Sequence, residues 1–437
     1  MFLVPLFHCK QQRLLMNNKM ISTRGTDHAT IDEAILQGLA LDGGLYVPES
    51  FPSYIIDDFY QYKQIADFAC HLLAPFFTDS SIVVDQEFCR EVFSFPLPLK
   101  QLCKSKYVVE LFHGPTLSFK DFGARFFAQC LQDLVQGTSA KVLVATSGDT
   151  GSAVASALSG KKGIEGIILF PKDKISPRQQ AQITCWEKNI HALAVEGTFD
   201  QCQLMVKTAL AKGLGTKEVL TTANSINISR ILPQVLFYAY SSIQLSKQKD
   251  QLIHYIVPSG NLGNVTACYW AKILGFPIGR ILIASNKNSV VSDFTETGLY
   301  QPRPSITTLA NAMDVGDPSN FERLKTLFQD FAEFKTQVNA RSINDLEIKA
   351  AITQCYEHYD YLICPHTATA YARLEEVNDN EVWVIAATAH PAKFEGIIEP
   401  LLKISIPIPG QLNRILKRSQ EFKTIQADYK SLLEVLQ

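Results

Sequence analysis

The chain has 437 residues, a length that suits about two or three domains with ample material for a core. Hydrophobic residues make up 46% and charged residues 19% of the chain, and the formal net charge is −2, which is typical of a globular protein. The charges are interspersed and no long apolar stretch occurs. Nothing in the composition therefore indicates a nucleic-acid or membrane partner, and a small-molecule ligand is favoured.

The first 20 residues, "MFLVPLFHCKQQRLLMNNKM", contain a short apolar run followed by basic residues. That order is the reverse of a signal peptide, and no small-residue cleavage site follows it. Residues 1–19 are therefore predicted to be an extension, either disordered or read from an upstream start codon. A short organellar targeting segment is the weaker alternative.

Residues 20–105 mix helical patterns with turns and predict an N-terminal domain. "LDGGLYVPES" (41–50) places a Gly-Gly turn before a proline. "FPLPLK" (95–100) is too rich in proline for a central strand or a helix. It is predicted to end the N-terminal domain.

From residue 106 to residue 437, β-type apolar runs alternate with helical patterns. Near-continuous apolar runs are typical of strands covered on both faces, and their alternation with helices predicts an α/β fold with largely parallel sheets flanked by helices. Two lobes are expected, a smaller one of about residues 121–220 and a larger one formed by the remainder, with a ligand between them at the carboxyl ends of the strands. The predicted strands are 107–112, 141–145, 166–170, 190–195, 252–257, 280–284, 361–364 and 382–387, and the clearest helices are 121–135, 150–159, 203–212, 228–246 and 265–274.

Two glycine-containing turns each join a predicted strand to a predicted helix, in "KVLVATSGDTGSAVASAL" (141–158) and "HYIVPSGNLGNVTACYWAKIL" (254–274). Glycine lets backbone N–H groups face inward ahead of a helix, and free amides plus the helix dipole bind anions. Neither turn is a dinucleotide fingerprint or a P-loop. Each alone is equally well explained as a tight connection, but two together predict two anion sites.

Lys120 lies in "HGPTLSFKDFG" (113–123), among apolar residues at helical spacing. Ser118 is a candidate cap, which would put Lys120 in the first turn of the helix. The helix dipole and apolar neighbours both disfavour an ammonium there, so Lys120 is predicted to be a neutral, nucleophilic amine near pH 7. Without other motifs, a lysine extending to solvent beside Asp121 or Asp149 would be the simpler interpretation.

The ten cysteines are scattered and no C-x-x-C pair occurs, which indicates reduced thiols in a cytosolic protein and no zinc site. His113, His366 and His390 have no metal-ligand spacing, and a structural hydrogen-bonding role is favoured over catalysis for each. No metal is expected.

Longer motifs, in a fixed order from Met20 onward, identify a known family. They are "STRG" (22–25), "LDGGLYVP", "LFHGPTLSFKDFG", "ATSGDTGSAVA", "VEGTFDQCQ" (195–203), "NSINISR" (224–230), "VPSGNLGN", "LANAMDVGDPSN" (309–320), "CPHTATAY" (364–371) and "TAHPAKF" (388–394). The chain resembles the threonine synthase family. Members of that family are pyridoxal-phosphate (PLP) enzymes of fold type II, the tryptophan-synthase-β-like fold.

The resemblance implies a role for each matching residue. Lys120 matches the lysine that binds PLP covalently, and Thr388 matches the hydroxyl residue that faces the pyridine nitrogen. Asp149 lies where the wider fold often has asparagine near the phenolic oxygen, and its protonation state stays open. The cofactor phosphate loop matches Ser259, Gly260, Asn261, Leu262, Gly263 and Asn264, and the substrate carboxylate loop matches Thr146, Ser147, Gly148 and Thr150 together with Asp149.

The implied reaction converts O-phosphohomoserine and water to L-threonine and phosphate, the last step of threonine biosynthesis. Its substrate needs a second anion pocket, for which the candidates are Thr116, Ser225, Asn227 and Arg230, with Lys393 as a further one. For Arg230, a structural salt bridge explains the residue as well as substrate binding does. For the uncharged candidates, helix capping is a better explanation than substrate binding. A related phospho-lyase that yields a 2-oxo acid is the alternative function, while a non-catalytic binding protein would not need Lys120. The expected partner is the small-molecule substrate, with no nucleic acid or membrane, in a cytoplasmic monomer or homodimer.

Overall fold

A computed structural model describes residues 19–186, 188–213 and 218–436. The predicted extension, residues 1–19, lies outside the described residues except for Lys19. None of the helices in these ranges has the length and hydrophobicity required to cross a membrane.

Within the described residues the chain forms fourteen strands and eighteen α-helices. The strands are β1 (Met20–Ser22), β2 (His28–Ala29), β3 (Tyr46–Pro48), β4 (Leu99–Gln101), β5 (Lys106–Glu110), β6 (Ala140–Ala145), β7 (Ile164–Pro171), β8 (Ile190–Glu196), β9 (Val219–Thr222), β10 (Ile253–Pro258), β11 (Ile278–Ser285), β12 (Asn339–Ser342), β13 (Val382–Ala387) and β14 (Lys423–Gln426). The helices are α1 (Ile31–Gln37), α2 (Ile65–Leu73), α3 (Gln86–Val92), α4 (Lys120–Leu134), α5 (Asp149–Leu158), α6 (Pro177–Thr184), α7 (Phe199–Lys212), α8 (Ile228–Ile231), α9 (Val235–Lys249), α10 (Gly263–Ile273), α11 (Val290–Thr297), α12 (Phe321–Lys325), α13 (Phe331–Gln337), α14 (Asp345–Tyr359), α15 (Pro365–Leu374), α16 (Glu395–Leu402), α17 (Gly410–Leu416) and α18 (Tyr429–Leu436).

Two largely parallel sheets form the centre of the fold. The larger has the strand order β12-β11-β10-β13-β5-β4, and only its edge strand β4 is antiparallel. The smaller has the order β14-β8-β7-β6-β9 and is parallel throughout. Helices cover these sheets because their strands are apolar on both faces; every residue of β13, for example, is buried. The predicted α/β fold class is confirmed.

The N-terminal residues form a separate three-stranded antiparallel sheet, in the order β2-β1-β3. Helix α1 begins with a capping box, in which Thr30 accepts a hydrogen bond from the backbone N–H of Glu33 and the Glu33 side chain accepts one from the Thr30 N–H. Helices α2 and α3 follow and pack through aromatic side chains such as Phe68 and Phe88. This N-terminal region therefore has its own secondary structure but shares a continuous hydrophobic core with the rest of the chain.

One predicted strand, 361–364, is wrong. These residues form no ladder, and Cys364 instead caps α15, whose first residue is Pro365. A residue before proline prefers extended backbone, so the apolar run is extended without pairing to a neighbour. The predicted helix 228–246 is interrupted by a 3-10 turn at Leu232–Gln234, because Pro233 has no N–H to donate within a continuous helix.

The three strands of the N-terminal sheet were not predicted, and neither were four short strands of the two larger sheets, β4, β9, β12 and β14. The residues of β4, β12 and β14 are mostly exposed or half-buried, so they lack the continuous apolar pattern of the inner strands. Strand β14 comes from the C-terminal end of the chain and pairs with β8. The smaller sheet is thus completed by residues distant in sequence from its other strands.

Candidate active site

A cavity lies where strands of both sheets end. Strands β5, β13 and β10 are adjacent in the larger sheet, and each is followed by cavity-lining residues. Strand β6 of the smaller sheet contributes the segment that follows it, as expected for a ligand at the carboxyl ends of parallel strands. The lining residues are Phe119, Lys120, Asp149, Ser225, Gln234, Pro258, Ser259, Gly260, Asn261, Leu262, Gly263, Asn264, Ala312, Met313, His366 and Thr388.

Lys120 is the first residue of α4, and its ammonium nitrogen lies 4.4 Å from the centre of the Phe119 ring. The pKa of Lys120 is lowered to about 7, mainly by burial and also by the nearby charge of Arg230, while Asp149 acts in the opposite direction. Lys120 is half-buried by solvent exposure, and the lowered pKa favours the neutral amine that the sequence predicts. Ser118 does not cap the helix: α4 has no side-chain cap, and the Ser118 hydroxyl is buried without a hydrogen-bond partner.

The segment before Lys120 is fixed to the end of β13. The backbone N–H of Phe119 donates to the Thr388 carbonyl at 2.8 Å, and the N–H of His390 donates to the Leu117 carbonyl at 3.0 Å. Two antiparallel hydrogen bonds thus hold the start of α4 against the chain that leaves the central strand. As a result, Lys120 and Thr388 line the same cavity.

The turn Ser259–Asn264 presents unpaired backbone donors at the start of α10. Within the described residues, the N–H groups of 260–264 have no hydrogen-bond acceptor. Leu262 adopts a positive φ of 61°, and a Cβ atom at Gly260 would lie 2.6 Å from the Met313 Cα. The Ser259 hydroxyl is also buried without a partner. This arrangement fits an anion such as a phosphate group.

A second turn, Thr146–Thr150, has a similar construction at the start of α5. The Thr146 hydroxyl accepts hydrogen bonds from the N–H groups of Gly148 and Gly151, at 3.0 and 2.8 Å. Gly148 has a φ of 148°, and a Cβ atom there would lie 2.4 Å from the Gln179 Nε2. The N–H groups of Ser147, Asp149 and Thr150 have no acceptor among the described residues, so this turn can bind a second anion.

Asp149 forms a buried ion pair with Lys393 at 2.7 Å. Burial raises the pKa of Asp149, but the charges of Lys393 and His366 and hydrogen bonds from Lys393 and Gln179 outweigh it, so the pKa is lowered overall. Asp149 is therefore ionised near pH 7, which answers the question that the sequence left open. The Lys393 ammonium also donates to the Thr116 carbonyl at 2.9 Å, so it links the segments before Lys120 and around Asp149.

The Thr388 hydroxyl lines the cavity and makes no hydrogen bond in the described part of the chain. His366 lines it too, and its Nε2 accepts a hydrogen bond from the Ala312 N–H at 3.0 Å. Burial lowers the pKa of His366 to about 4, so this histidine is neutral. His113 bonds to Glu110 at 2.7 Å, and the His390 Nδ1 accepts from the Ala392 N–H at 3.1 Å, so both have structural partners.

Several predicted binding residues do not line this cavity. The Thr116 N–H and hydroxyl both donate to the buried Asp121 carboxylate, at 2.9 and 2.7 Å. Asn227 caps α8 and donates to the carbonyl groups of Ile35 and Thr222. Arg230 is buried and donates to the Ala223 carbonyl, while its Nε has no partner. Ser147 lines a neighbouring cleft rather than the cavity itself.

Four functional residues were missed or placed differently by the sequence interpretation. Gln179, Gln234 and Met313 carry no chemical signal in the sequence, because amides and thioethers are common in packed interiors. Lys393 was a candidate for the substrate phosphate, but its ammonium is fully buried and already bonded to Asp149 and Thr116. Its position in the "TAHPAKF" motif was the only available signal.

Comparisons with known proteins place this geometry in a family. Residues 96–388 match the family model described as pyridoxal-phosphate dependent enzyme. Residues 19–88 match the model for the threonine synthase N terminus, and residues 367–435 match that for the threonine synthase C-terminal region. One general model of pyridoxal-phosphate dependent enzymes and two threonine synthase models thus account for most of the chain.

Characterised relatives and solved structures agree. The chain is 38% identical over 395 residues to threonine synthase of Haemophilus influenzae, covering 89% of this chain and 92% of that protein. The crystal structure of threonine synthase from Escherichia coli has a TM-score of 0.90 at 34% identity, covering 96% of this chain and 99% of that one. PLP-bound threonine synthase from Brucella melitensis has a TM-score of 0.87 at 31% identity, covering 96% and 98%. The chain therefore belongs to the threonine synthase family of pyridoxal-phosphate-dependent enzymes.

Proposed function

We propose that this protein converts O-phosphohomoserine and water to L-threonine and phosphate, using PLP bound at Lys120. The observation that carries the proposal is a half-buried lysine with a pKa lowered to about 7, in one cavity with a turn of free amides. A second such turn begins at the edge of the same cavity. The pair of turns suits a cofactor phosphate and a substrate carboxylate.

The described residues fit PLP. The free N–H groups of 260–264 and the unpartnered Ser259 hydroxyl suit its phosphate, and a side chain at Gly260 would collide with the Met313 backbone that packs against this turn. Lys120 would hold the aldehyde carbon, while Thr388 and Asp149 would contact the ring. When bound, PLP supplies an electron sink that acidifies carbon-bound protons of an attached amino acid.

Lys120 is the group that moves protons. About half of its amine is neutral at pH 7, because the pKa is lowered to about 7 mainly by burial, so it can accept a proton from the substrate α-carbon and return one to a neighbouring carbon. The Phe119 ring covers one side of this nitrogen, with its centre 4.4 Å away. Water must nevertheless reach the substrate β-carbon after phosphate leaves the γ-carbon.

Thr388 and Asp149 would set the electronic character of the ring. A threonine hydroxyl is neutral and cannot stabilise a positive ring nitrogen as a carboxylate does. The ionised Asp149, held by Lys393, places a negative charge elsewhere on the cavity wall. A neutral hydroxyl at the ring nitrogen, with the negative charge at a different place on the wall, suits an enzyme that must pass an intermediate through several proton transfers.

The substrate would be held by two sets of groups. We assign its carboxylate to the turn of Thr146, Ser147, Gly148, Asp149 and Thr150, because three of its N–H groups are free. For its phosphate, the proposed residues are Thr116, Ser225, Asn227 and Arg230. Supporting this, Arg230 is a fully buried cation without a salt bridge in the described part of the chain, although Ser225 alone among the four lines the cavity.

We also propose that the protein acts in the cytoplasm, as a monomer or homodimer. The nine cysteines of the described residues are all free thiols, which supports a reducing compartment. The domain division proposed is residues 20–105 for the N-terminal domain and 106–437 for the catalytic region.

Covalent attachment of PLP to the cofactor-free chain is expected to accelerate as pH rises through about 7. With the pKa of Lys120 near 7, about one tenth of the amine is neutral at pH 6 and about nine tenths at pH 8. The attachment rate, followed by visible absorbance, should therefore level off above pH 8. A rate that keeps increasing tenfold per unit up to pH 10 would indicate an ordinary, solvated lysine instead.

Replacement of Thr388 by aspartate is expected to slow threonine formation by roughly tenfold or more and to raise the share of side products. An aspartate would stabilise a protonated ring nitrogen and change how protons are distributed among carbons. Thr388→Ser retains the hydroxyl and serves as the matched control. If the product ratio of Thr388→Asp equals that of the parent enzyme, Thr388 does not face the ring nitrogen.

The function is tested by incubating the pure protein with PLP and O-phosphohomoserine and measuring phosphate and amino acid together. We expect equal amounts of phosphate and threonine. Equal amounts of phosphate and 2-oxobutanoate would show the alternative, a phospho-lyase that stops after elimination. Absence of phosphate release would reject both.

A further inference from the structure

Arg323 in α12 is a fully buried cation with no carboxylate partner. It forms no salt bridge within the described ranges, and its exposed fraction is 0%. Burial lowers its pKa to about 9, with the charge of Glu322 acting in the opposite direction, so it is charged at pH 7. A buried charge without a counter-ion is costly, which indicates that an anion is missing from its surroundings.

All hydrogen bonds of Arg323 go to uncharged oxygen atoms. Its Nε donates to the Tyr46 carbonyl at 3.0 Å, and its Nη2 donates to the Ile226 carbonyl at 2.6 Å. Its Nη1 donates to the Ser225 carbonyl and to the Asn320 Oδ1, both at 2.8 Å. These bonds fix the guanidinium but do not neutralise it.

The contacts of Arg323 lead directly to the turn assigned to the cofactor phosphate. The Asn320 Nδ2 donates to the Ser225 hydroxyl oxygen at 3.1 Å, and the Asn261 Nδ2 donates to the same oxygen at 2.6 Å. A Cβ atom at Gly263 would lie 3.5 Å from the Asn320 Nδ2 and 3.7 Å from the Ser225 Cβ. One layer of side chains therefore separates the guanidinium from the turn.

The Ser225 hydroxyl has a free proton. Its oxygen accepts two hydrogen bonds, and its O–H has no acceptor among the described residues. Ser225 lines the cavity next to Asn261. Two amide donors on the oxygen orient the remaining O–H, which is then available to an anion in the cavity.

The phosphate turn itself carries no cation. Residues Pro258–Asn264 are uncharged, and Lys120 is neutral when its amine acts as a nucleophile. Amide groups at the start of α10 supply only a partial positive charge. A phosphate dianion held there would gain from a full charge close behind the turn.

We propose that Arg323 is a positioning residue for the cofactor phosphate: it provides the buried countercharge and, through Asn320, orients the Ser225 hydroxyl toward that phosphate. The proposal rests on the assignment of Ser259–Asn264 to the phosphate. It assigns Ser225 to the cofactor phosphate rather than to the substrate phosphate.

The same helix joins the N-terminal sheet to the cavity. Arg323 bonds to Tyr46 of β3, and Glu322 accepts hydrogen bonds from Thr23 at 2.9 Å and Arg24 at 3.1 Å. The "STRG" and "NAMDVGDPSN" motifs, which the reaction itself leaves unexplained, thus converge on α12. Their role in this account is to hold Arg323 behind the phosphate turn.

Comparing PLP with pyridoxal, which lacks the phosphate, tests the proposal. Both are titrated against the full-length chain stripped of cofactor. Arg323→Gln is expected to weaken PLP binding roughly 10- to 100-fold and to leave pyridoxal binding within about threefold. Arg323→Lys, which retains the charge, should recover most of the PLP affinity. Ser225→Ala, a small change that leaves Arg323 in place, should also weaken PLP binding selectively.

The matched control is Arg373→Gln, since Arg373 is another buried arginine that donates to carbonyl groups but has Glu376 as a counter-ion. It should leave the preference for PLP unchanged. Equal losses of PLP and pyridoxal in Arg323→Gln, or unchanged PLP binding in Ser225→Ala, would overturn the proposal. A parent enzyme that binds PLP no better than pyridoxal would instead overturn the assignment of Ser259–Asn264, on which the proposed function depends.

Discussion

Replacing Lys120 with alanine is expected to abolish turnover, with a loss of roughly 10⁴-fold or more, while the fold survives. In the proposed function, Lys120 supplies both the covalent attachment for the cofactor and the amine that moves protons. No second lysine lines the cavity, whose residues all belong to the described part of the chain. Threonine formation, borohydride-trapped cofactor and thermal unfolding of the same preparation give the three readouts.

Lys272→Ala is the matched control for that experiment. Lys272 is an exposed residue, but desolvation lowers its pKa too, and its ammonium donates to the Gly279 carbonyl at 2.8 Å near the far end of α10. Its replacement should leave turnover and cofactor attachment close to those of the parent. Parent-like turnover in Lys120→Ala, or trapped cofactor on another lysine, would show that Lys120 is not the reactive amine.

Replacing Lys393 with methionine is expected to cost about 3–5 kcal/mol of unfolding free energy near pH 8. Both partners of its ion pair are buried, with side-chain exposures of 0% for Lys393 and 6% for Asp149. Without the ammonium, Asp149 would be a buried carboxylate with no countercharge. Adding Asp149→Asn removes that charge, so the double variant should recover much of the lost stability.

The pH dependence of that loss has a definite sign. In the parent, the folded-state pKa of Asp149 is lowered below 3.8, so its contribution to stability is present above that value and decreases as pH falls through the lower folded-state pKa. In Lys393→Met the folded-state pKa should lie above 3.8, so the folded state binds the proton more readily. The variant should therefore regain stability as pH falls from 8 toward 5.

Lys106→Met is the control, because it removes an ion pair whose carboxylate is exposed. Lys106 bonds to Asp379 at 3.1 Å, but the Asp379 side chain is 76% exposed, so we expect a loss of at most about 1 kcal/mol. Urea unfolding at pH 5 and pH 8 measures all of these variants. If Lys393→Met costs no more than Lys106→Met and shows no pH dependence, the ion pair does not hold Asp149 in its charged form.

The parts of this fold that the sequence predicted depend on local patterns. Strands such as β7 and β13 are apolar on both faces, and the turns after β6 and β10 need glycine for close backbone approach, as Gly148 and Gly260 show. Lys120 was identified because a charge among phenylalanines is unusual at helical spacing. These signals reside in neighbouring residues and require no knowledge of tertiary packing.

The parts that the sequence did not predict depend on distant residues. Lys393 and Asp149 are 244 positions apart by their numbers and meet only after both sheets have formed. Arg323 contacts Tyr46 and Ser225, which are 277 and 98 positions away. Ser118 has the residue type of a helix cap, but tertiary contacts of Phe119 with Thr388 set the backbone there. Strand β14 is short and exposed, and only pairing with β8 identifies it.

Incubation with O-phosphohomoserine in water enriched in ¹⁸O tests the central claim most directly. If phosphate leaves from the γ-carbon and water adds at the β-carbon, the labelled atom must appear in the threonine hydroxyl. The released phosphate must then be unlabelled, because it keeps the bridging oxygen. Release of labelled phosphate with homoserine as the other product would mean that the protein merely hydrolyses the phosphate ester. That result would contradict the account.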